Sequence, residues 1–87
     1  MTPEQSKCLQ LSKKAFELVE DRIPVASLRF IRQNIYDYNE WGLGVETIVD
    51  ALVEDEIAIT TAQRDAIVEA LDAMGLDRSQ DLLTVVD

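Results

Sequence analysis

Residues 38–56 constrain the fold of this chain more than any other part of the sequence. At about 100° per residue, a helix through this stretch gathers six apolar side chains on one arc. They are Trp41, Val45, Ile48, Val49, Leu52 and Val53. Glu46, Asp50 and Glu54 recur every four residues on a different arc, where like charges repel by roughly 0.2 to 0.5 kcal/mol per pair. The pattern predicts an amphipathic helix with one face in the core and an acidic face outside.

This acidic stripe has two interpretations. A charged helical face commonly does no more than keep a protein solvated. The alternative is that a cationic partner binds the stripe and relieves the repulsion between its carboxylates.

The distribution of charge favours a cationic partner. Residues 1–36 carry six basic and four acidic side chains, a net charge of +2, whereas residues 37–87 carry two basic and thirteen acidic ones, a net charge of -11. The total is -9. A region as acidic as residues 37–87 repels nucleic acid and anionic membranes, and it attracts basic proteins. We therefore expect a basic protein partner, with no direct nucleic-acid contact and no membrane contact.

Composition indicates a single packed domain over residues 1–87. Hydrophobic residues make up 47% of the chain and charged residues 29%, which is typical of globular proteins. No signal-peptide pattern is found at the start, and no apolar run approaches the roughly 18 residues that a membrane span requires. The single cysteine, Cys8, permits no internal disulfide. We therefore expect a cytoplasmic protein, with Cys8 as a small core residue rather than a reactive thiol.

Helix-start and helix-stop residues predict the first two helices. Thr2 and Gln5 have the spacing of a capping box, so the first helix is expected over residues 3–21. Pro24 disfavours helix at the preceding residue and can begin a new one. The second helix is expected over residues 25–38, with Tyr36 on its outer side and Phe30 off its inward stripe.

Similar signals predict the rest of the chain. Asn39 can be the N-cap of the third helix, and Thr60 with Gln63 forms a second capping box for the fourth. Gly75 is placed to end that fourth helix, and residues 77–83 can form a short final one. No strand alternation of useful length is found. The predicted class is all-α, a compact bundle of four helices with a short fifth C-terminal helix.

The residues that carry most enzyme chemistry are missing or badly placed. The chain has no histidine, so its serines and its cysteine lack the commonest general base. Gly42 and Gly44 have neither the third glycine nor the Lys-Ser/Thr pair of a phosphate-binding loop, although each predicts a close approach by another segment. The acids at 54–56, Asp77 and Asp81 lack the spacing of a calcium loop. We expect a binding protein and not an enzyme, with no catalytic residues, cofactor or metal.

Four short segments carry a resemblance to a known family. They are residues 15–18, 35–46, 56–59 and 73–77. Across roughly residues 15 to 77 the chain resembles the MafI-like immunity proteins, small cytoplasmic inhibitors encoded beside polymorphic and contact-dependent growth-inhibition toxins. The most specific pieces are residues 40–43, EWGL, and residues 74–77, MGLD. The chain departs from the family pattern at Gly44, Ala58 and Asn39, where we would expect an alanine, a proline and a nearby glycine.

The resemblance implies a helical protein that binds one cognate toxin, commonly a nuclease such as an RNase, and blocks it in the producing cell. Nucleases present cationic surfaces, which an acidic helical face can occupy as phosphates would. We therefore predict toxin contacts by the acids of the third helix, with Tyr36 and Phe30 as anchors. These acids are Glu46, Asp50, Glu54, Asp55 and Glu56, supported by Asp65, Glu69 and Asp72 if the third and fourth helices are adjacent.

Four motif residues are assigned to the fold rather than to the toxin. Trp41 shares the arc of the predicted core residues, and we expect it with Gly42, Met74 and Gly75 to hold the structure together. The alternative functions are an acidic helical adaptor for a basic cellular partner, a structural homo-oligomer, and an enzyme that uses paired carboxylates. The toxin-binding interpretation predicts a monomer or a weak homo-oligomer.

Overall fold

The computed structural model describes residues 1–76 and 79–87, and most of them are helical. The helices are α1 (Pro3–Val19), α2 (Val25–Tyr36), α3 (Trp41–Glu54) and α4 (Thr61–Ala73). The described residues also form two 3-10 turns, Glu20–Arg22 and Ser79–Leu82, and two short strands, β1 (Ala58–Ile59) and β2 (Thr84–Val85). The all-α class and the four helices predicted from the sequence are confirmed.

Both predicted capping boxes are present. The Thr2 hydroxyl accepts a hydrogen bond from the backbone N–H of Gln5 at 3.1 Å, and the Gln5 side chain accepts one from the backbone N–H of Thr2 at 2.9 Å. Thr60 and Gln63 make the same reciprocal pair at 3.1 and 2.8 Å. Each box satisfies two donors that the start of a helix would otherwise leave unpaired. These contacts define the first residues of α1 and α4.

The connection between α2 and α3 differs from its prediction. Helix α2 ends at Tyr36, two residues early, and α3 begins at Trp41 with Glu40 as its N-cap. Asn39 has a φ of 54°, in the left-handed region, whereas an N-cap residue has extended backbone. The prediction that Asn39 is the N-cap is therefore wrong. Asn39 turns the chain instead, because asparagine tolerates the left-handed conformation better than most residues.

Helix α4 ends as predicted, in a left-handed turn at Gly75. The backbone N–H of Leu76 donates to the carbonyl of Leu71 at 2.9 Å, and that of Gly75 donates to Asp72 at 3.1 Å. Gly75 has a φ of 69°, which glycine adopts without steric penalty. This pair of bonds is the Schellman arrangement, which satisfies the last carbonyls of a helix.

Helix α3 ends in the same arrangement, but a glutamate occupies the left-handed position. The N–H of Ile57 donates to Leu52 at 2.9 Å and that of Glu56 donates to Val53 at 3.1 Å. Glu56 has a φ of 52°. A side chain in this conformation costs roughly 1 to 2 kcal/mol, because its Cβ lies too close to the following carbonyl. The end of α3 is therefore strained at Glu56.

We expect Glu56→Gly to raise the free energy of unfolding by about 1 kcal/mol, because glycine removes the clash that the left-handed turn imposes. Glu56→Ala is the matched control, since it removes the same carboxylate but keeps the Cβ. Chemical denaturation of the two variants separates the effects of strain and charge. Equal stability of the alanine and glycine variants would show that Glu56 is not strained.

Two helix pairs enclose the core, α1 with α4 and α2 with α3. Helix α1 packs most extensively on α4, where the Gln63 side-chain amide donates to the Leu18 carbonyl at 2.8 Å at one end. At the other end, the thiol of the partly buried Cys8 lies 3.6 Å from the Ala73 carbonyl. Helix α2 packs on α3 through Gly44. The buried apolar core is formed by Ala15, Phe16, Val19, Ile23, Ile31, Ile35, Val45, Ile48, Val49, Leu52, Ile59, Ala66, Ile67, Ala70, Leu71 and Leu83.

The C-terminal segment is held against the helices by short contacts. Its predicted fifth helix is a 3-10 turn over Ser79–Leu82, and the start of that prediction, Asp77 and Arg78, lies outside the described residues. Strand β2 then pairs in parallel with β1. Hydrogen bonding to the Thr61 side chain, and then to the Thr61 backbone N–H at 2.8 Å, lowers the pKa of the Asp87 carboxyl. Strands of two residues are too short for the alternation that sequence patterns detect.

Candidate protein-binding surfaces

The acidic stripe of α3 faces outward. Val45, Ile48 and Leu52 are buried, and α3 therefore turns the opposite side of its surface away from the core. On that side Asp50 and Glu54 are exposed and Glu46 is partly buried. Glu46 and Asp50 each have an interaction within the chain. The predicted face is therefore present, and its first two acids are already engaged.

The C-terminal end of the stripe consists of Glu54, Asp55 and Glu56, which we call the α3 acidic cap. All three are exposed, and no ion pair or side-chain hydrogen bond to another described residue is found for any of them. The last turn of α3 contains no basic residue. Three consecutive carboxylates thus lie at the end of a helix with no cation of the described chain beside them.

The position of the α3 acidic cap is unfavourable for folding. The C-terminal end of a helix carries a partial negative charge, so carboxylates there are repelled by the helix as well as by one another. Cations are the side chains that stabilise this position. The strained backbone of Glu56 adds to the conflict. Conflicts between local preference and observed residues concentrate at functional sites, which makes this cap the best candidate for partner binding.

The acids of α4 form a separate surface. Asp65, Glu69 and Asp72 line an open groove of about 490 Å³ between α1 and α4. Its other described lining residues are Lys7, Leu11, Val68 and Ala73, none of which belongs to α3. Helices α3 and α4 are in contact, as the predicted joint surface required, but these acids lie on the α1 side of α4. The structure thus presents two acidic surfaces rather than one.

Two of the α4 acids also have cationic partners. The Asp65 carboxylate lies 3.1 Å from the Arg64 guanidinium, and the Glu69 carboxylate lies 3.7 Å from the Lys14 ammonium. Both pairs are exposed, so each contributes little to stability. They nevertheless neutralise charge locally. The α4 groove is for that reason a weaker attractor of cations than the α3 acidic cap.

Tyr36 lies in a cleft between α1 and α2. Its hydroxyl donates to the Glu17 carboxylate at 3.1 Å, and its ring meets the Phe16 ring edge-on, with 5.8 Å between the centroids. The Lys13 ammonium lies 5.3 Å from the Tyr36 ring centroid. Burial, and then the hydrogen bond to Glu17, raise the pKa of the Tyr36 hydroxyl. Tyr36 is therefore a fixed aromatic wall with its outer edge exposed.

The rest of this cleft was not predicted from the sequence. Arg32 forms an ion pair with Glu20, and its guanidinium lies 5.5 Å from the centroid of the Phe16 ring. The described lining residues of the cleft, which measures about 370 Å³, are Phe16, Glu17, Glu20, Arg32, Tyr36 and Asp37. We call this the α1–α2 cleft. Its α1 residues, Phe16 and Glu17, were not among the predicted contact residues.

Phe30 and the motif residues have different surroundings. Phe30 is on the outside of α2 and is 48% exposed, as an anchor for a partner would be. Trp41 is only partly buried, at the first residue of α3, and its indole N–H is enclosed without a hydrogen-bond acceptor among the described residues. Gly42 contacts Leu76 and Met74, which pack against the core. Gly42 of the EWGL segment therefore lies beside Met74 and Leu76 of the MGLD segment.

Metal and membrane sites are not found in residues 1–76 and 79–87. No three His, Cys, Asp or Glu side chains there are grouped so that they could hold a metal ion. No helix of that part of the chain is both long enough and apolar enough to cross a bilayer. The surfaces that the structure does present to a partner are the α3 acidic cap, the α4 groove and the α1–α2 cleft.

Comparison of the chain with models of protein families, with curated proteins and with solved structures finds no match.

Proposed function

We propose that this protein is an immunity protein that binds and neutralises a cognate secreted or contact-delivered toxin, most often a nuclease such as an RNase. Its acidic helical face covers the cationic surface with which the toxin holds its substrate. The α3 acidic cap carries the proposal, because three exposed carboxylates lie where they oppose both the helix and one another. A cationic partner removes that conflict.

The chemistry of a nuclease fits this surface. Such an enzyme must attract phosphates, so its binding surface is positively charged. A run of carboxylates on a rigid helix end presents negative charge in a comparable density. The net charge of -9 adds long-range attraction, which raises association rates up to about 10⁸ to 10⁹ M⁻¹s⁻¹ at low salt. Fast capture suits an inhibitor that must act before its toxin turns over.

Exposed apolar side chains supply the affinity that charge alone does not. Charges at the rim of an interface mainly set rate and specificity, whereas a few desolvated aromatic anchors contribute most of the binding energy. Phe30 and Tyr36 are the exposed aromatic side chains of α2, and Phe30 is the more exposed of the two. Helix α2, which carries Phe30, packs on α3 at Gly44, and α3 ends in the α3 acidic cap. The proposal takes the four helices as a rigid bundle that presents Phe30 and the cap together.

Coexpression in bacteria tests this function. The toxin domain that we propose is encoded immediately upstream of this gene is induced alone or together with this chain, and surviving colonies are counted. We expect the toxin alone to kill and coexpression to restore growth. A catalytically inactivated toxin is the control for the burden of expression. Equal killing with and without the chain, at matched levels of both proteins, would refute the proposal.

A further inference from the structure

The α1–α2 cleft has rigid aromatic walls. Phe16 is 2% exposed and belongs to the core, and the Tyr36 ring packs on it edge-on at an interplanar angle of 70°. The hydrogen bond from the Tyr36 hydroxyl to Glu17 joins α2 to α1 across the cleft. Neither ring can reorient without breaking these contacts. The cleft is therefore preorganised, which lowers the entropy lost when a side chain binds in it.

Two cations of the chain already lie on these rings. The Lys13 ammonium is 5.3 Å from the centroid of Tyr36, and the Arg32 guanidinium is 5.5 Å from that of Phe16. Both distances are within the roughly 6 Å over which a ring face attracts a cation. Arg32 also pairs with Glu20. The chain itself thus shows which chemistry the cleft favours.

The cleft has more acceptors than its own cations use. Among the residues that the structure describes, three carboxylates and one guanidinium line it. Glu20 is paired with Arg32, and one oxygen of Glu17 accepts the Tyr36 hydroxyl. No ion pair to Asp37 is found in the part of the chain that the structure describes. The second oxygen of Glu17 and both oxygens of Asp37 remain for a further donor, because an ionised carboxylate accepts on both oxygens.

We propose that the α1–α2 cleft binds an arginine side chain presented by a protein partner. The guanidinium lies between Glu17 and Asp37 and replaces the Lys13 ammonium against the Tyr36 ring. Arginine fits better than lysine because its planar group stacks on an aromatic face while it donates to two carboxylates. The inference goes beyond the proposed function, since it applies to any protein partner that presents an arginine at this cleft.

The test uses a small probe and no toxin. The isotope-labelled full chain is titrated with N-acetyl-arginine amide, and backbone amide shifts are followed by NMR. We expect saturable shifts centred on Glu17, Tyr36 and Asp37. The citrulline analogue has nearly the same shape without the charge, so it should bind at least about tenfold more weakly. The lysine analogue should fall between the two.

Matched variants locate the site. Glu17→Gln with Asp37→Asn should weaken arginine binding at least about tenfold, because both carboxylate acceptors lose their charge. Glu54→Gln with Asp55→Asn makes the same change in charge at the α3 acidic cap and should bind as the wild type does. Amide dispersion reports whether each variant is folded. Absence of saturable shifts, equal binding of citrulline, or equal effects of the two double variants would overturn the inference. Because no toxin is present, these results are independent of the immunity function.

Discussion

Gly44→Ala is expected to lower the free energy of unfolding by roughly 1 to 2 kcal/mol, although alanine is the better helix former. A Cβ at Gly44 would lie 2.5 Å from Cγ1 of Ile35 and 3.6 Å from the carbonyl oxygen of Ile31. Ile35 is completely buried, so it cannot move aside without disturbing the core. Overpacking of this kind costs about 1 to 3 kcal/mol, which exceeds the gain of about 1 kcal/mol in helix propensity.

Gly42→Ala is the matched control, and it should have the opposite sign. A Cβ there would lie 3.2 Å from Cδ1 of Leu76 and 3.9 Å from the sulfur of Met74. Both are the far ends of flexible, partly buried side chains that can shift slightly. The gain in helix propensity then remains, so we expect the free energy of unfolding to stay the same or to rise by up to about 1 kcal/mol.

Chemical denaturation of both variants, alone and with Ile35→Ala, gives the measurement. In the Ile35→Ala background the clashing methylene is absent, so Gly44→Ala should no longer destabilise and the two changes should couple strongly. If Gly44→Ala stabilised the wild-type protein as much as Gly42→Ala does, the close α2–α3 contact at Gly44 would be wrong.

Neutralising the α3 acidic cap is expected to slow toxin capture about tenfold or more at low salt. The variant is Glu54→Gln, Asp55→Asn and Glu56→Gln. Removal of the local negative field reduces steering, so the association rate should fall and depend less on ionic strength. Dissociation should change less, because rim charges act mainly on encounter. Stopped-flow binding over a series of salt concentrations measures both rates.

The same variant should be slightly more stable than the wild type. The variant lacks the carboxylates that are repelled by the C-terminal end of α3 in the wild type. Removing each charge should raise the free energy of unfolding by a few tenths to about 1 kcal/mol in favourable cases. Higher stability together with slower binding is the signature of residues kept for function rather than for folding. Loss of both stability and binding would instead indicate a structural role for the cap.

The control is a variant with the same change in net charge on α4. It combines Asp65→Asn, Glu69→Gln and Asp72→Asn. Two of these acids are partly neutralised by Arg64 and Lys14, so we expect a smaller loss of association rate. Equal losses in the two variants would mean that net charge alone attracts the toxin and that the α3 acidic cap is no local site.

Residues that lie close together in the sequence predicted the ends of the helices well. The capping boxes at Thr2 and Thr60 and the turn at Gly75 depend on residues three to five positions apart, so the sequence contains all of their determinants. The prediction of Asn39 as an N-cap was wrong because asparagine is favoured both at N-cap positions and in the left-handed conformation. The glutamate at position 56 gave no sign of a left-handed turn, since glycine or asparagine is the usual occupant.

The candidate site could be predicted only in part. Helical spacing correctly turned the acids of α3 outward, but it contained no information on how α4 is rotated about its axis. That rotation puts Asp65 and Glu69 in the groove with α1. The α1–α2 cleft was missed because Glu17 and Tyr36 are brought together by tertiary packing across nineteen positions of sequence.

Capture of the cognate toxin domain, which the proposed function places immediately upstream of this gene, tests the immunity function most directly. This chain is immobilised as bait, the toxin domain is applied at low and at high salt, and nuclease activity is assayed on the recovered complex. We expect salt-sensitive capture of an inactive nuclease whose activity returns when the complex is separated. A neighbouring protein that does not bind, or one that binds and remains fully active, would contradict the proposed function and favour an acidic adaptor for a basic cellular partner.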